Sequence, residues 1–147
     1  MAEYIANALQ TVEVNQNVLF SDVTVCGNCS IIHRAGSGLV GLRGITNQCR
    51  ARYRVFFSGN IAIPTGGTVE PISLAIAIDG EPVASSLMIE TPAAAEEFNN
   101  VASAVFLDVP RNCCVQVSVR NTSTQAIDVQ NANLIILSDI LIASEIS

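Results

Sequence analysis

The residues with the clearest chemical potential are five cysteines and a single histidine. Cys26 and Cys29 bracket two residues in Cys-Gly-Asn-Cys, His33 follows four positions later, Cys49 lies farther on, and Cys113 and Cys114 are adjacent. Two thiolates separated by two residues around a glycine is a spacing that zinc knuckles use. Cys26, Cys29, His33 and Cys49 together would supply three thiolates and one imidazole. That set has no second matching pair, and His33 falls in a stretch that reads as a strand. The favoured alternative is disulfides or buried free thiols steadying loops, with His33 a polar strand residue. An odd count leaves at least one thiol free, bonded between subunits or bound to something else.

A second set is basic. Arg50, Arg52 and Arg54 recur at period two, so they project from one face of a strand while Ala51, Tyr53 and Val55 project from the other. Such a row suits an anionic glycan or carboxylate, or it suits acidic partners on an adjacent subunit through bidentate contacts. Thirteen acidic residues are available as partners, which favours a subunit interface. Leu74, Ile76 and Ile78 alternate with Ala75 and Ala77. A strand apolar on both faces and small on one is expected to pack its Ala75 and Ala77 side against a neighbouring subunit.

Catalytic patterns are missing from the sequence. His33 has no nearby serine elbow or carboxylate pattern to suggest a triad. Glu96 and Glu97 are adjacent and do not converge as an acid and base pair would. Gly36-Ser37-Gly38 and Gly66-Gly67 lack the lysine and following helix of a phosphate loop. Asn121-Thr122-Ser123 fits a glycosylation acceptor on paper and reads as a loop. The chain is expected not to be an enzyme.

These residues sit in 147 positions, enough for one domain with a real core. Only 14% of residues are charged and half are hydrophobic, against about a quarter charged in ordinary soluble chains. All seven basic residues are arginine and none is lysine. Arginine is enriched at interfaces and lysine depleted, so the composition points to a surface covered by other subunits. A net charge of −6 argues against nucleic acid as a partner. The apolar run Leu134 to Leu137 and Ile140 to Ala143 is broken by Ser138 and Asp139. It falls short of the roughly 20 residues that span a bilayer. The start of the chain does not read as a classical signal peptide.

Short runs rich in valine, isoleucine and phenylalanine, punctuated by glycine, proline, asparagine and aspartate, predict strands throughout. They fall near Val18 to Phe20, Ser30 to Arg34, Gly38 to Leu42, Ala51 to Gly59, Ser73 to Asp79, Leu87 to Glu90, Ser103 to Val109, Cys114 to Arg120, Ile127 to Gln130 and Ala132 to Leu137. Asp79-Gly80 predicts a tight hairpin, and Pro64-Thr65-Gly66-Gly67-Thr68 a longer loop. Residues 1–16 read as an N-terminal arm, helical or extended, ahead of a single domain over 17–147.

The order of CRARYRVFFSGNIAIP, ISLAIAIDGEPV, VFLDVPRNCCVQVSVRN and NANLIIL resembles the globular head shared by the tumour necrosis factor and complement-head families. Tyr53, Phe56 and Phe57 stand for the aromatic strand of that pattern and Leu134 to Leu137 for its closing strand. The resemblance implies an all-β, antiparallel jelly-roll β-sandwich of about ten strands that forms a homotrimer. It allows calcium on acidic residues near the trimer axis, at positions left unassigned. It also suggests a structural protein at the surface of a particle. A phage capsid or head fibre comes first and a bacterial spore or cell-surface layer second. Tyr4, Ile5 and Leu9 of the arm would anchor it to the capsid or surface-layer protein beneath. The alternative is an adhesion module that binds a glycan or receptor.

Overall fold

The computed structural model describes residues 1–25, 30–34 and 36–138. Alternation of apolar and polar side chains builds two antiparallel sheets that close on one core. The first sheet runs in the order β10 (Asn99–Pro110), β6 (Arg50–Ala62), β12 (Ile127–Ser138), β1 (Ala2–Ala6), β3 (Asp22–Val25), with β2 (Gln10–Val12) also paired to β12. The second runs β4 (Ile31–His33), β5 (Val40–Arg43), β11 (Cys114–Asn121), β7 (Ile72–Ile78), β8 (Glu81–Pro82), with β9 (Met88–Glu90) also paired to β7, on the edge away from β11. Tyr4, Phe20, Tyr53, Phe57, Leu74, Ile76 and Leu134 are among the side chains buried between the sheets. Among the described residues, no helix is long and apolar enough to cross a membrane.

The expected jelly-roll sandwich is present, with twelve strands among the described residues where about ten were expected. Two expected strands near the C-terminus are one, β12, and its register shifts between Gln130 and Asn133. The sequence dictates that shift. Ile127 and Val129 are buried at odd positions, whereas Ala132, Leu134 and Ile136 are buried at even ones, so one residue must be inserted to keep the apolar set inward. Asn131 absorbs it with φ of 57°. The Asp79-Gly80 hairpin forms as expected, with φ of 52° and 84° and Ile78 paired to Glu81. Val18 to Phe20 is not a strand. Val18 and Phe20 are fully buried, and the Val18 amide donates to the Val119 carbonyl at 2.8 Å.

The N-terminal arm requires correction. Ala2–Ala6 is an interior strand, paired to β12 on one side and β3 on the other. Its Ala2, Tyr4 and Ala6 face the core. The alternation AEYIA is what makes this strand, and its inward face is too apolar to stay in water.

Candidate functional site

The arginine row projects outward from β6, as its spacing predicts: Arg50 and Arg52 are exposed, Arg54 is half-buried, and Ala51, Tyr53 and Val55 are buried. Its acidic partner belongs to the same chain. Arg52 lies opposite Asp108 of β10, and its Nε and Nη2 donate to Asp108 Oδ1 and Oδ2 at 2.9 and 3.3 Å. Arg50 Nε stands 3.5 Å from Oδ2. The Arg52 hydrogen bond holds the Asp108 carboxyl below its ordinary value near 3.8. The charges of Arg52 and Arg50 add to this, and slight desolvation opposes it. Arg54 lies 5.3 Å over the ring of Phe106, the residue opposite it on β10. Within the single chain, Arg50 and Arg52 already have Asp108 as their acidic partner. The sequence did not disclose Asp108 as the partner, although its place between Leu107 and Val109 marks it as outward-facing.

Farther along the same face the character changes from charged to apolar. Phe56 pairs with Ala104 and Ile135, and Ser58 with Ala102 and Asn133. These residues line a hollow of about 420 Å³. Phe106 is 66% exposed and Phe56 37%. The second sheet's outer face is different. Ala75 and Ala77 are fully buried within the single chain. Arg120, opposite Ala75 on β11, donates through Nη1 to the carbonyl of Gly80, so its stem lies along the alanine side. Their burial needs no second subunit, which corrects their expected role.

A larger cleft of about 1040 Å³ opens where the ends of β5 and β11 meet those of β6 and β10. Two loops knit its floor. Gly44 donates to the Cys113 carbonyl at 2.8 Å, Asn112 to the Gly44 carbonyl at 3.1 Å, and Arg111 to the Cys49 carbonyl at 3.0 Å. Position 44 requires glycine, because a Cβ there would stand 2.1 Å from the Pro110 carbonyl oxygen. Asn112 adopts φ of 64°, a conformation asparagine tolerates. Tyr53 Oη ties the β5 end down by donating to the Arg43 carbonyl at 2.6 Å. Among the described residues, Arg43, Arg50, Arg52 and Arg111 line the cleft with Asp108 as the one acid. Arg43 and Arg111 lie in unpatterned sequence, so only the loop contacts reveal that they share a site with Arg50 and Arg52.

The cysteine expectations divide. Cys26 and Cys29 lie outside the described residues. Cys49, Cys113 and Cys114 are free and exposed, so they are neither paired nor buried. Cys113 and Cys114 line the arginine cleft. His33 Nε2 lies 2.9 Å from the Ser37 carbonyl oxygen, and its ring packs on Tyr4 at 4.4 Å between centroids. Among the described residues, no three His, Cys, Asp or Glu side chains are grouped to hold a metal. Of the expected anchors, Tyr4 is a core residue, Ile5 is half-buried on the outer side of β1, and Leu9 is 55% exposed. Asn121 is buried, with Nδ2 on the Val12 and Gln125 carbonyls and Oδ1 accepting from the Ser123 amide. It serves as a structural hub and presents no surface for a glycan.

No protein-family model matches the chain, and no curated protein matches it in sequence. Solved structures do match. The globular domain of zebrafish complement 1qA protein aligns with a TM-score of 0.62 at 13% identity, covering 91% of this chain and 94% of that one. Murine APRIL aligns with a TM-score of 0.57 at 10% identity, covering 90% of this chain and 97% of that one. Interleaved strand order, two closing sheets and this full-length superposition together show that the chain has the jelly-roll fold of the tumour necrosis factor and complement globular heads.

Proposed function

We propose that this chain is a non-enzymatic structural module that assembles as a homotrimer and decorates the surface of a particle. A phage capsid comes first and a spore or cell-surface layer second. The observation that carries the assembly is the apolar stretch of the first sheet's outer face, where Phe56, Phe106, Ala102 and Ala104 are exposed in a single chain beside half-buried Ile135. Exposed aromatic rings around a hollow lined by small side chains mark a surface that associates. The heads of the resemblance associate as trimers, and three copies turning this face toward a common threefold axis would cover it. The particle role is supported by a surface poor in charge and free of lysine. With Tyr4 in the core, Ile5 and Leu9 remain as its candidate contacts.

Sedimentation equilibrium of the purified chain is expected to give three times the monomer mass. Ala104→Arg is expected to give a folded monomer. A wild-type monomer at micromolar concentration would overturn the assembly, and purified particles lacking the chain would overturn the decoration role.

A further inference from the structure

Five of the seven arginines, Arg43 at the end of β5, Arg50, Arg52 and Arg54 on β6, and Arg111 in the loop after β10, gather at one end of the sandwich, and four of them line the end cleft, with Asp108 the acid among its described lining residues. The rest of the chain is strongly acidic by contrast, since the whole carries −6. A local excess of cationic forks in an otherwise anionic chain focuses field lines on the cleft and draws in anions. The loops that present Arg43 and Arg111 are held by reciprocal backbone hydrogen bonds and by the close approach at Gly44. The cleft is therefore formed before any ligand arrives, which lowers the ordering cost of binding.

We propose that this cleft binds an acidic saccharide, a hydroxyl-rich chain bearing closely spaced sulfate or carboxylate groups. Arg43 and Arg111 would receive the anionic groups from one side, while Arg50 and Arg52, whose Nε edges face Asp108, would add positive charge and their outer N–H donors from the other. Thr46, Asn47, Gln48 and Asn112 also line the cleft and supply donors and acceptors for sugar hydroxyls. Its volume is that of a site for an oligosaccharide segment. Among its described lining residues there is no aromatic ring, so they offer no stacking platform for nucleobases, and a saccharide is favoured over a single-stranded nucleic acid. Asp108 sits at the inner edge, where it occupies Arg52 and opposes the ligand's charge. The Arg54–Phe106 pair separates the cleft from the apolar hollow, so assembly through the hollow leaves the cleft at the rim.

The test is calorimetric titration of the full chain with a sulfated dextran oligomer, an oligogalacturonate and an unsulfated dextran oligomer of matched length. Binding to the sulfated chain, the uronate or both is expected, and the arm that binds names the anionic group. Arg43→Gln and Arg111→Gln are each expected to weaken it about tenfold, and Asp108→Asn to strengthen it several-fold. Arg34→Gln, outside the cleft, leaves it unchanged. Binding of neither acidic oligomer overturns the proposal. So does equal binding of the neutral oligomer or of single-stranded DNA, or an equal loss from Arg34→Gln. The proposal stands apart from the trimer: an assembled chain that binds nothing sinks only the cleft, and a monomer that binds sinks only the assembly.

Discussion

Two faces of this sandwich look alike as sequence and differ in three dimensions. On β7, Ala75 and Ala77 form a small apolar side, and on β6, Arg50, Arg52 and Arg54 form a charged one. Both suggested contact with another subunit. Ala75 and Ala77 are closed over by the chain itself, with Arg120 drawn across toward Gly80. The β6 side binds its own Asp108 at one end and opens into bare apolar surface at Phe56 and Phe106 toward the middle. Period-two alternation says which side of a strand a residue occupies, and tertiary register decides what covers it.

The sharpest way to break this contrast is Ala77→Asp. It places a carboxylate in a site with no accessible surface, and a loss on the order of 4 kcal/mol in urea unfolding is expected. A near-neutral result would mean that the alanine side is open after all. Phe106→Ser probes the other face. In a lone chain an exposed side chain changes stability by no more than about 0.5 kcal/mol. In an assembly, by contrast, its loss lowers a Tm that rises with protein concentration. A wild-type Tm independent of concentration would remove the distinction between the faces.

Asp108→Asn tests the charged end and has a smaller effect. Asp108 gives up its proton more readily folded than unfolded. Its contribution is therefore fully present above the ordinary carboxylate value near 3.8 and is lost as pH falls through the lower folded value. The variant is expected to show a flatter acid limb in thermal melts between pH 5 and 2, a modest change because the pair is solvent-exposed. An unchanged acid limb would show that the ion pair contributes nothing to folding. Least disruptive is maleimide labelling with peptide mapping: Cys49, Cys113 and Cys114 are expected to react in the folded chain. A protected thiol among them would place a partner over the arginine end instead of the apolar middle.

Much of the fold was legible because the core is written locally. The strand over Cys114 to Arg120, the Asp79-Gly80 turn and the break between Gln130 and Ala132 each follow from neighbouring residues. What stayed hidden depends on pairing across long separations. Asp108 meets Arg52 across 56 positions, and no local pattern encodes that. Arg43 and Arg111 come together through loops whose backbone contacts have no periodic signature. The first strand was misread because five alternating residues are too few to distinguish a strand from an arm without the partners on either side.

The placement of β1 has a consequence for synthesis. Ala2–Ala6 pairs with Ala132–Ile136, so β1 finds this partner only once β12, far along the chain, has left the ribosome. Until then β1 and β6, between which β12 lies, each carry an unpaired edge. Those edges stay open until β12 has been made, and only then can the first sheet close. Slow, late closure of this kind exposes the nascent chain to aggregation, and it makes the release of β12 the event that commits the molecule to its fold.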